Sequence, residues 1–356
     1  MKKACYLLLS LLMFFLLYML GVTAYATVFD FKPEAKIDLG NSSLPSLLSA
    51  DSSYSFFIWN LGYAGLGAES DFFYDGGVHA NMPKEIVDKN FKGILSYINM
   101  CQKTDFVLFQ EIDKYSTRSA YVDQVDSAGR LLKGHKLSFA YNFKVDLVPL
   151  PITDPVGHVR SGLSSFSLHT SSSNFRMAYP SQYEWPRYCF MLDRCFLLQR
   201  FTLDNGKELL VLNNHNSAFD GGKLKSVEMD HLRKILLSEY AKGNYIVAGG
   251  DWNQCPPDFN PDKFKKNAED QYFPENISAD YYPEGWSWVY DPDMPTNRKV
   301  TKAYDPSQTF TTIIDYYLVS PNIEVVQVKG IDHDFAFSDH QAVYLKVRLK
   351  KQRIAE

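Results

Sequence analysis

Short polar clusters stand at the ends of apolar runs in this chain, and their residue types are those of metal-assisted proton transfer. Residues 56–59, Phe-Phe-Ile-Trp, run into Asn60. Residues 106–109 run into Gln110-Glu111, and 209–212 into Asn213-Asn214-His215. Residues 245–248 pass through Gly249-Gly250 into Asp251-Trp252-Asn253. Asp315 lies inside the apolar run 313–318, and Ser338-Asp339-His340 come just before the run 342–345. An acid inside a buried strand is costly unless it is paired. Asp315 therefore needs a partner, and His340 and His215 are the candidates. Residues two apart on an extended segment share a face, which groups Asp251 with Asn253 and Asn213 with His215. Asp339 and His340 are adjacent and converge only where their loop is not extended.

Each cluster alone carries little, because a carboxylate after a strand is usually a turn former or a helix cap. Together they supply acids, histidines and amides suited to hard-oxygen chemistry. Mg²⁺, or Mn²⁺ in its place, prefers carboxylate oxygens and water and takes one or two carboxylates plus substrate phosphate. Glu111 is the main candidate ligand, with Asn60 and Asp339 beside it. Hydrolysis of a phosphodiester needs an activated water and stabilisation of charge on the phosphoryl oxygens.

In this order, Trp59-Asn60, Gln110-Glu111, Asn213-Asn214-His215, Gly250-Asp251-Trp252-Asn253, Ile314-Asp315-Tyr316 and Ser338-Asp339-His340 resemble the endonuclease/exonuclease/phosphatase superfamily. That family includes pancreatic-type deoxyribonucleases, abasic-site endonucleases, neutral sphingomyelinases and inositol polyphosphate 5-phosphatases. The resemblance spans residues 59–340, and every acid and histidine of the pattern is present. It departs at Asn213-Asn214-His215-Asn216, where many members have Asn-Thr-His-Leu. The resemblance implies an α/β fold, a four-layer α/β/β/α sandwich of two packed mixed sheets flanked by helices. It implies that Glu111 binds the metal, helped by Asn60 and Asp339. Asp251 would orient or deprotonate the attacking water, and Asn253 and His215 would contact the phosphate. His340, held by Asp315, would stabilise phosphoryl charge or move a proton, as the acid of a triad fixes its histidine. The implied activity is metal-dependent phosphodiester hydrolysis, with a nuclease and a phospholipase C-like or sphingomyelinase-like enzyme as the leading forms. The alternatives are a phosphomonoesterase, such as an inositol phosphatase, and a non-catalytic surface binding module.

Around these clusters the reading is broader. Residues 113–118 lead into a helical pattern, with Ser116 or Thr117 as its N-cap. Arg118 is either a surface charge or a phosphate contact near that helix N-terminus. Lys144, Asn142 and Arg160 are candidates of the same kind. The glycines at 62, 65 and 67 do not fit a nucleotide-binding fingerprint and read as a loop. Aromatic clusters at 72–74 and 281–290 could stack on bases, dock at a lipid interface or simply pack beneath loops.

The elements that must hold these groups are mostly short strands. Apolar runs at 56–59, 106–109, 137–143, 163–168, 195–201, 209–212, 245–248, 310–319, 323–328 and 343–347 read as strands. Helical periodicity covers 83–101, 119–132 and 224–240. Residues 140–159 and 256–306 are long irregular stretches of the kind that carry function. One domain over 55–350 follows, with 27–54 as a linker or lead-in strand.

Residues 1–26 are set apart. Lys2-Lys3, an uncharged apolar run over 4–22 and the small-x-small triplet 24–26 form the layout of a secretory signal. The apolar run is also nearly long enough to anchor the chain in a bilayer. Either way the body is exported, secreted or periplasmic if cleaved after Ala26, and otherwise held on the outer face of a membrane. The chain has 356 residues and a formal charge of -4, so no long-range field draws it to nucleic acid. DNA, RNA or a phospholipid head group is the expected substrate, and no protein partner is implied. Cys101, Cys189, Cys195 and Cys255 show no close CxxC pair, which argues against zinc. Six residues of strand would separate Cys189 from Cys195 by roughly 20 Å, so free buried thiols are expected. Glycosylation-type triplets occur at 41–43 and 276–278.

Overall fold

The computed structural model of the protein describes residues 2–41, 43–218, 221–264 and 275–351. Ser42, within one glycosylation-type triplet, and part of the irregular stretch 256–306 lie outside them. The first half runs α1 (Lys2–Val28), β1 (Lys36–Asp38), β2 (Ser53–Asn60), α2 (Lys84–Met100), β3 (Phe106–Asp113), α3 (Gln124–Leu131), β4 (Lys136–Val148), β5 (Gly157–Ser167) and β6 (Ser173–Ala178). The second half runs β7 (Cys195–Thr202), β8 (Glu208–His215), α4 (Lys223–Ala241), β9 (Tyr245–Asp251), β10 (Ser287–Val289), β11 (Asn297–Arg298), β12 (Thr311–Thr312), β13 (Asp315–Val319), β14 (Ile323–Ile331) and β15 (Ala342–Leu349).

The strands form two large mixed sheets, ordered β1-β6-β7-β8-β9-β13-β10 and β14-β15-β2-β3-β5-β4. Period-two alternation explains how they pack. Phe56 and Ile58 of β2 meet Val211 and Val247 of the opposite sheet in the central core. Phe57 and Trp59 point the other way, toward Val87, Ile94 and Ile98 of α2 and Val125 and Ala128 of α3. Leu210 and Leu212 of β8 likewise face Met229, Leu232 and Leu236 of α4. The result is the expected four-layer α/β/β/α sandwich. Asp123, not Ser116 or Thr117, caps α3 by accepting from the Asp126 amide, so the helical reading at 119–132 begins five residues too early.

Two parallel pairs matter most. β2 pairs with β3, and β8 with β9. Each needs a crossover, supplied by α2 and α4. Their carboxyl ends lie at one edge of the sandwich and carry Asn60, His215 and Asp251. The segment 310–319, read as one strand, is broken. The Thr296 hydroxyl accepts from the Ile314 and Asp315 amides at 3.0 Å each, so β12 and β13 separate there. The aromatics at 281–290 pack on the outer face of the β9-containing sheet. Cys101, Cys189, Cys195 and Cys255 are free and buried.

The two sheets are tied by polar groups near the site. Asn213 accepts from Gln110 Nε2 at 2.6 Å and donates to the carbonyls of Phe109 at 3.0 Å and Ser164 at 2.9 Å. Leucine at 213 would leave these buried partners unsatisfied. Asn213→Leu is expected to cost about 2–4 kcal/mol, seen as a lower denaturation midpoint at unchanged slope. A midpoint equal to wild type would mean the inter-sheet bonds add nothing.

Candidate active site

The groups at the strand ends converge on a cleft of about 370 Å³. Ladder register sets three of them side by side: His215 opposite Asp251, and Asp251 opposite Asp315. Gly250 makes this possible, since at φ 144° a Cβ there would lie 2.0 Å from the Asn214 carbonyl oxygen. Asn253 reaches the cleft differently from the extended spacing expected. Its φ is +51°, so the chain turns, and its amide donates to Asp251 Oδ1 at 2.9 Å while its Nδ2 donates to the Asn216 carbonyl at 3.0 Å.

Glu111 comes from the facing sheet. The β3–β5 register shifts between Phe109 and Ile112, and Glu111 takes φ +48°. A left-handed backbone at a side chain of this size costs about 1–3 kcal/mol and persists where the surroundings enforce it. Asn60 Nδ2 links the sheets, donating to Asp251 Oδ2 at 3.0 Å and lying 3.5 Å from Glu111 Oε1. Asp339 arrives from the last loop. Gly62, at φ +48°, leaves room for it, because a Cβ there would be 2.6 Å from Asp339 Oδ1.

Of the two partners open to Asp315, the structure selects His340. Asp315 Oδ2 lies 2.8 Å from His340 Nδ1. The other ring nitrogen, Nε2, faces Asp251 Oδ2 and Asp339 Oδ2, each at 3.9 Å. Burial alone would favour the neutral ring, but Asp315, Asp339 and then Asp251 outweigh it and raise the His340 pKa well above the ordinary value. His215 moves the opposite way. Burial, with Arg194, His340 and Arg118 nearby, keeps it neutral. Its Nε2 lies 3.4 Å from Asp251 Oδ2 and 3.7 Å from Glu111 Oε1. One histidine is thus held charged and one neutral, on either side of Asp251.

The carboxylates also show where a cation fits. Asp251, Asp315 and His340 present ligand atoms within 4.8 Å of one another, yet Asp315 and His340 are spent on each other. Glu111 and Asp339 are not. Among the described residues Glu111 is met only by Asn60 and His215 at the distances above, and Asp339 by Ser338 Oγ at 3.4 Å and His340 at 3.9 Å. Burial, partly offset by His340, and the charge of Glu111 push the Asp339 carboxyl up to about 7. Two weakly bonded carboxylates in one cleft are hard-oxygen donors suited to Mg²⁺.

Two expectations are corrected. Lys144 is not at the cleft: it lies 4.9 Å from the Phe31 ring centroid, in a separate cavity beside α1. Arg118 does line the cleft, but from a short 3-10 turn and not a helix N-terminus. It bonds both oxygens of Asp113 at 3.1 Å and stacks on Tyr63 at 3.7 Å. Arg160 is held by Asp146 and two carbonyls. Sequence reasoning missed Asn297, whose Nδ2 lies 3.1 Å from His340 Nε2. It also missed Arg194, which lines the cleft with Nη1 buried and without a hydrogen-bond partner among the described residues. Asn297 lies in the stretch 256–306, whose irregular sequence points to a functional loop without singling out this polar residue, and Arg194 sits in a segment without periodicity.

No protein-family model matches the sequence, and no curated protein matches it. Solved structures do match. An endonuclease/exonuclease/phosphatase from Beutenbergia cavernae superposes with TM-score 0.57 at 18% identity, over 85% of this chain and 73% of that one. The fold is that of the endonuclease/exonuclease/phosphatase superfamily. ANGEL2, described as a 2′,3′-cyclic phosphatase, shares this fold with TM-score 0.53 at 14% identity, over 88% of this chain and 100% of its own. D. rerio TDP2, solved with a single-strand DNA product, shares it with TM-score 0.51 at 14% identity, over 83% and 99%. In this fold the Glu111, Asp251 and Asp315–His340 groups stand on strand ends from both sheets.

Proposed function

We propose that this chain is a metal-dependent hydrolase of phosphate ester bonds, acting on phosphodiesters. The observation that carries the reading is the cleft where Asp251 stands between a charged His340 and a neutral His215, with Glu111 and Asp339 facing in. Glu111 and Asp339, with Asn60, would hold Mg²⁺ or Mn²⁺. When bound, the metal supplies Lewis-acid polarisation of a phosphoryl oxygen. Asp251 takes a proton from the attacking water, its carboxylate aimed by the Asn253 amide and the Asn60 side chain. His340, its ring fixed by Asp315, faces the phosphoryl oxygens with a donor nitrogen and returns a proton to the leaving oxygen. His215 and Asn253 border the same space and contact the phosphate. ANGEL2 and TDP2, which act on or are solved with phosphate-ester compounds, support the reaction class.

The test is hydrolysis of bis-p-nitrophenyl phosphate by the full chain. EDTA is expected to abolish turnover and Mg²⁺ to restore it. Glu111→Gln is expected to raise the Mg²⁺ concentration for half-maximal rate by about 10- to 100-fold. Turnover that survives EDTA would overturn the metal assignment, and no turnover on any phosphate ester would overturn the reaction.

We propose, separately, that α1 stays on the chain and holds the body on a membrane. This helix has 27 residues, none buried, and is long and apolar enough to cross a bilayer. It continues past residue 26 without a break and is fastened to the body at its end. Tyr25 OH donates to Asp146 at 3.0 Å, and Trp185 Nε1 to Thr27 Oγ1 at 3.1 Å. The full chain is expected to stay with membranes in alkaline carbonate. Release as a fragment beginning at Thr27 would establish cleavage instead.

A further inference from the structure

We infer that the substrate is a phospholipid presented by the bilayer that holds α1, and that the loops at the cleft mouth dock on that surface. The inference rests on the phosphodiesterase and membrane-anchor readings above.

The same two elements wall the cleft on one side and hold α1 on the other. Phe143 of β4 lines the cleft, while Lys144, Val145, Asp146 and Leu147, the next residues, line the cavity against α1. Arg187 and Phe190 of the turn Arg187–Phe190 line the cleft, and Cys189 between them faces α1. The anchor therefore leaves the body beside the active-site entrance.

That entrance is built from two loops bonded to each other. Residues 72–80 supply Phe72, Tyr74 and Ala80 to the cleft wall, and the β4–β5 loop supplies Val156. Asp154 joins them, accepting from the Ala80 amide at 2.8 Å and from Asn81 Nδ2 at 2.7 Å. Their outer surfaces are apolar where a water-facing loop would be polar. Val78 is 76% exposed, Ile152 64% and Leu150 43%, and Trp185, beside the end of α1, is 61% exposed. Exposed aliphatic tips and a tryptophan next to a membrane helix suit the interface between head groups and acyl chains.

The two rim loops offer no basic track along which a nucleic acid could extend. A strand of DNA or RNA needs a basic track extending beyond the cleaved phosphate. Here the two loops carry Asp71, Asp75 and Asp154 and no lysine or arginine between 71 and 80 or between 149 and 156, and the basic residues Arg118, Arg187, Arg194, Arg298 and Lys299 are gathered on the wall of the cleft itself. The inner wall is apolar at Tyr63, Leu66, Phe72 and Phe143, which fits the glycerol and acyl portion of a lipid. In the reaction the water oxygen bonds to phosphorus and the ester P–O bond breaks. One water proton goes to Asp251, and the leaving glycerol oxygen gains a proton from His340. The products are a diacylglycerol and a phosphomonoester of the head group.

The test uses the full chain reconstituted in phosphatidylcholine vesicles, with bis-p-nitrophenyl phosphate and single-stranded DNA as parallel substrates. We expect release of phosphocholine, and we expect the triple variant Val78→Ser, Leu150→Ser, Ile152→Ser to lower that rate at least tenfold. The variant should hydrolyse bis-p-nitrophenyl phosphate at the wild-type rate, which also shows that it folds. Equal phosphocholine release by variant and wild type would overturn the docking loops. Cleavage of the soluble diester or of DNA without phosphocholine release would overturn the lipid substrate while leaving the phosphodiesterase reading intact. Failure on every substrate would overturn that reading itself.

Discussion

Asp251→Asn is expected to lower kcat on bis-p-nitrophenyl phosphate by about 10³-fold, within the 10²–10⁴ range that general base catalysis contributes. Asparagine keeps the shape and can still accept the Asn253 amide through its side-chain oxygen, although its NH2 then faces the Asn60 donor and gives up that bond. What it loses is the acceptor for the proton of water. The fold should survive, because the terms at this position offset one another. Asp251 is buried between Asp315, opposite it in the ladder, and the charged His340, so the repulsion relieved and the attraction lost oppose each other. The measurement is kcat at saturating Mg²⁺ beside a thermal melt, with a single cooperative transition close to that of wild type. A variant that melts normally and turns over within a few-fold of wild type would remove Asp251 from the chemistry.

Asp315→Asn comes second, with an expected loss of about 10²- to 10⁴-fold in kcat. Asp315 touches no substrate; it is a positioning residue, holding His340 at 2.8 Å. An amide in its place can donate to Nδ1 where the carboxylate only accepted, which favours the wrong tautomer. It also removes the first of the charges that keep the ring protonated. A merely structural role would make the losses of Asp315→Asn and His340→Ala add. A role through the ring predicts that the double variant is no worse than His340→Ala alone. Additive losses in that cycle would show that Asp315 acts independently of His340.

Much of the fold was legible because its signals are local. A strand buried on both faces reads as an apolar run, and β2, β3, β8 and β9 all read so. Polar residues at the ends of such runs have no structural reason to recur, so Asn60, Glu111, His215 and Asp251 stood out without any geometry. β6 was missed because its apolar residues alternate with polar and charged ones, as in Ser173-Asn174-Phe175-Arg176, while β1, at the sheet edge, falls within the stretch 27–54 read as a linker or lead-in strand. Arg118 was named for the right cleft but with the wrong surroundings, because its pairing with Asp113 depends on a turn that spacing does not reveal.

Residue types and strand ends alone decided which groups this protein can bring to a reaction and that two sheets must carry them. Long-range geometry decided the rest. Whether Asp315 pairs with His340 or His215 depends on where a loop 25 residues away returns. Lys144 was lost to the cleft by register. The β4–β5 pairing shifts between Tyr141 and Phe143 and again between Val145 and Val148. A slip of one residue turns every later side chain to the other face. Phe143 therefore lines the cleft and Lys144 faces α1. Such slips come from pairing between distant strands, and no window of the sequence contains both partners.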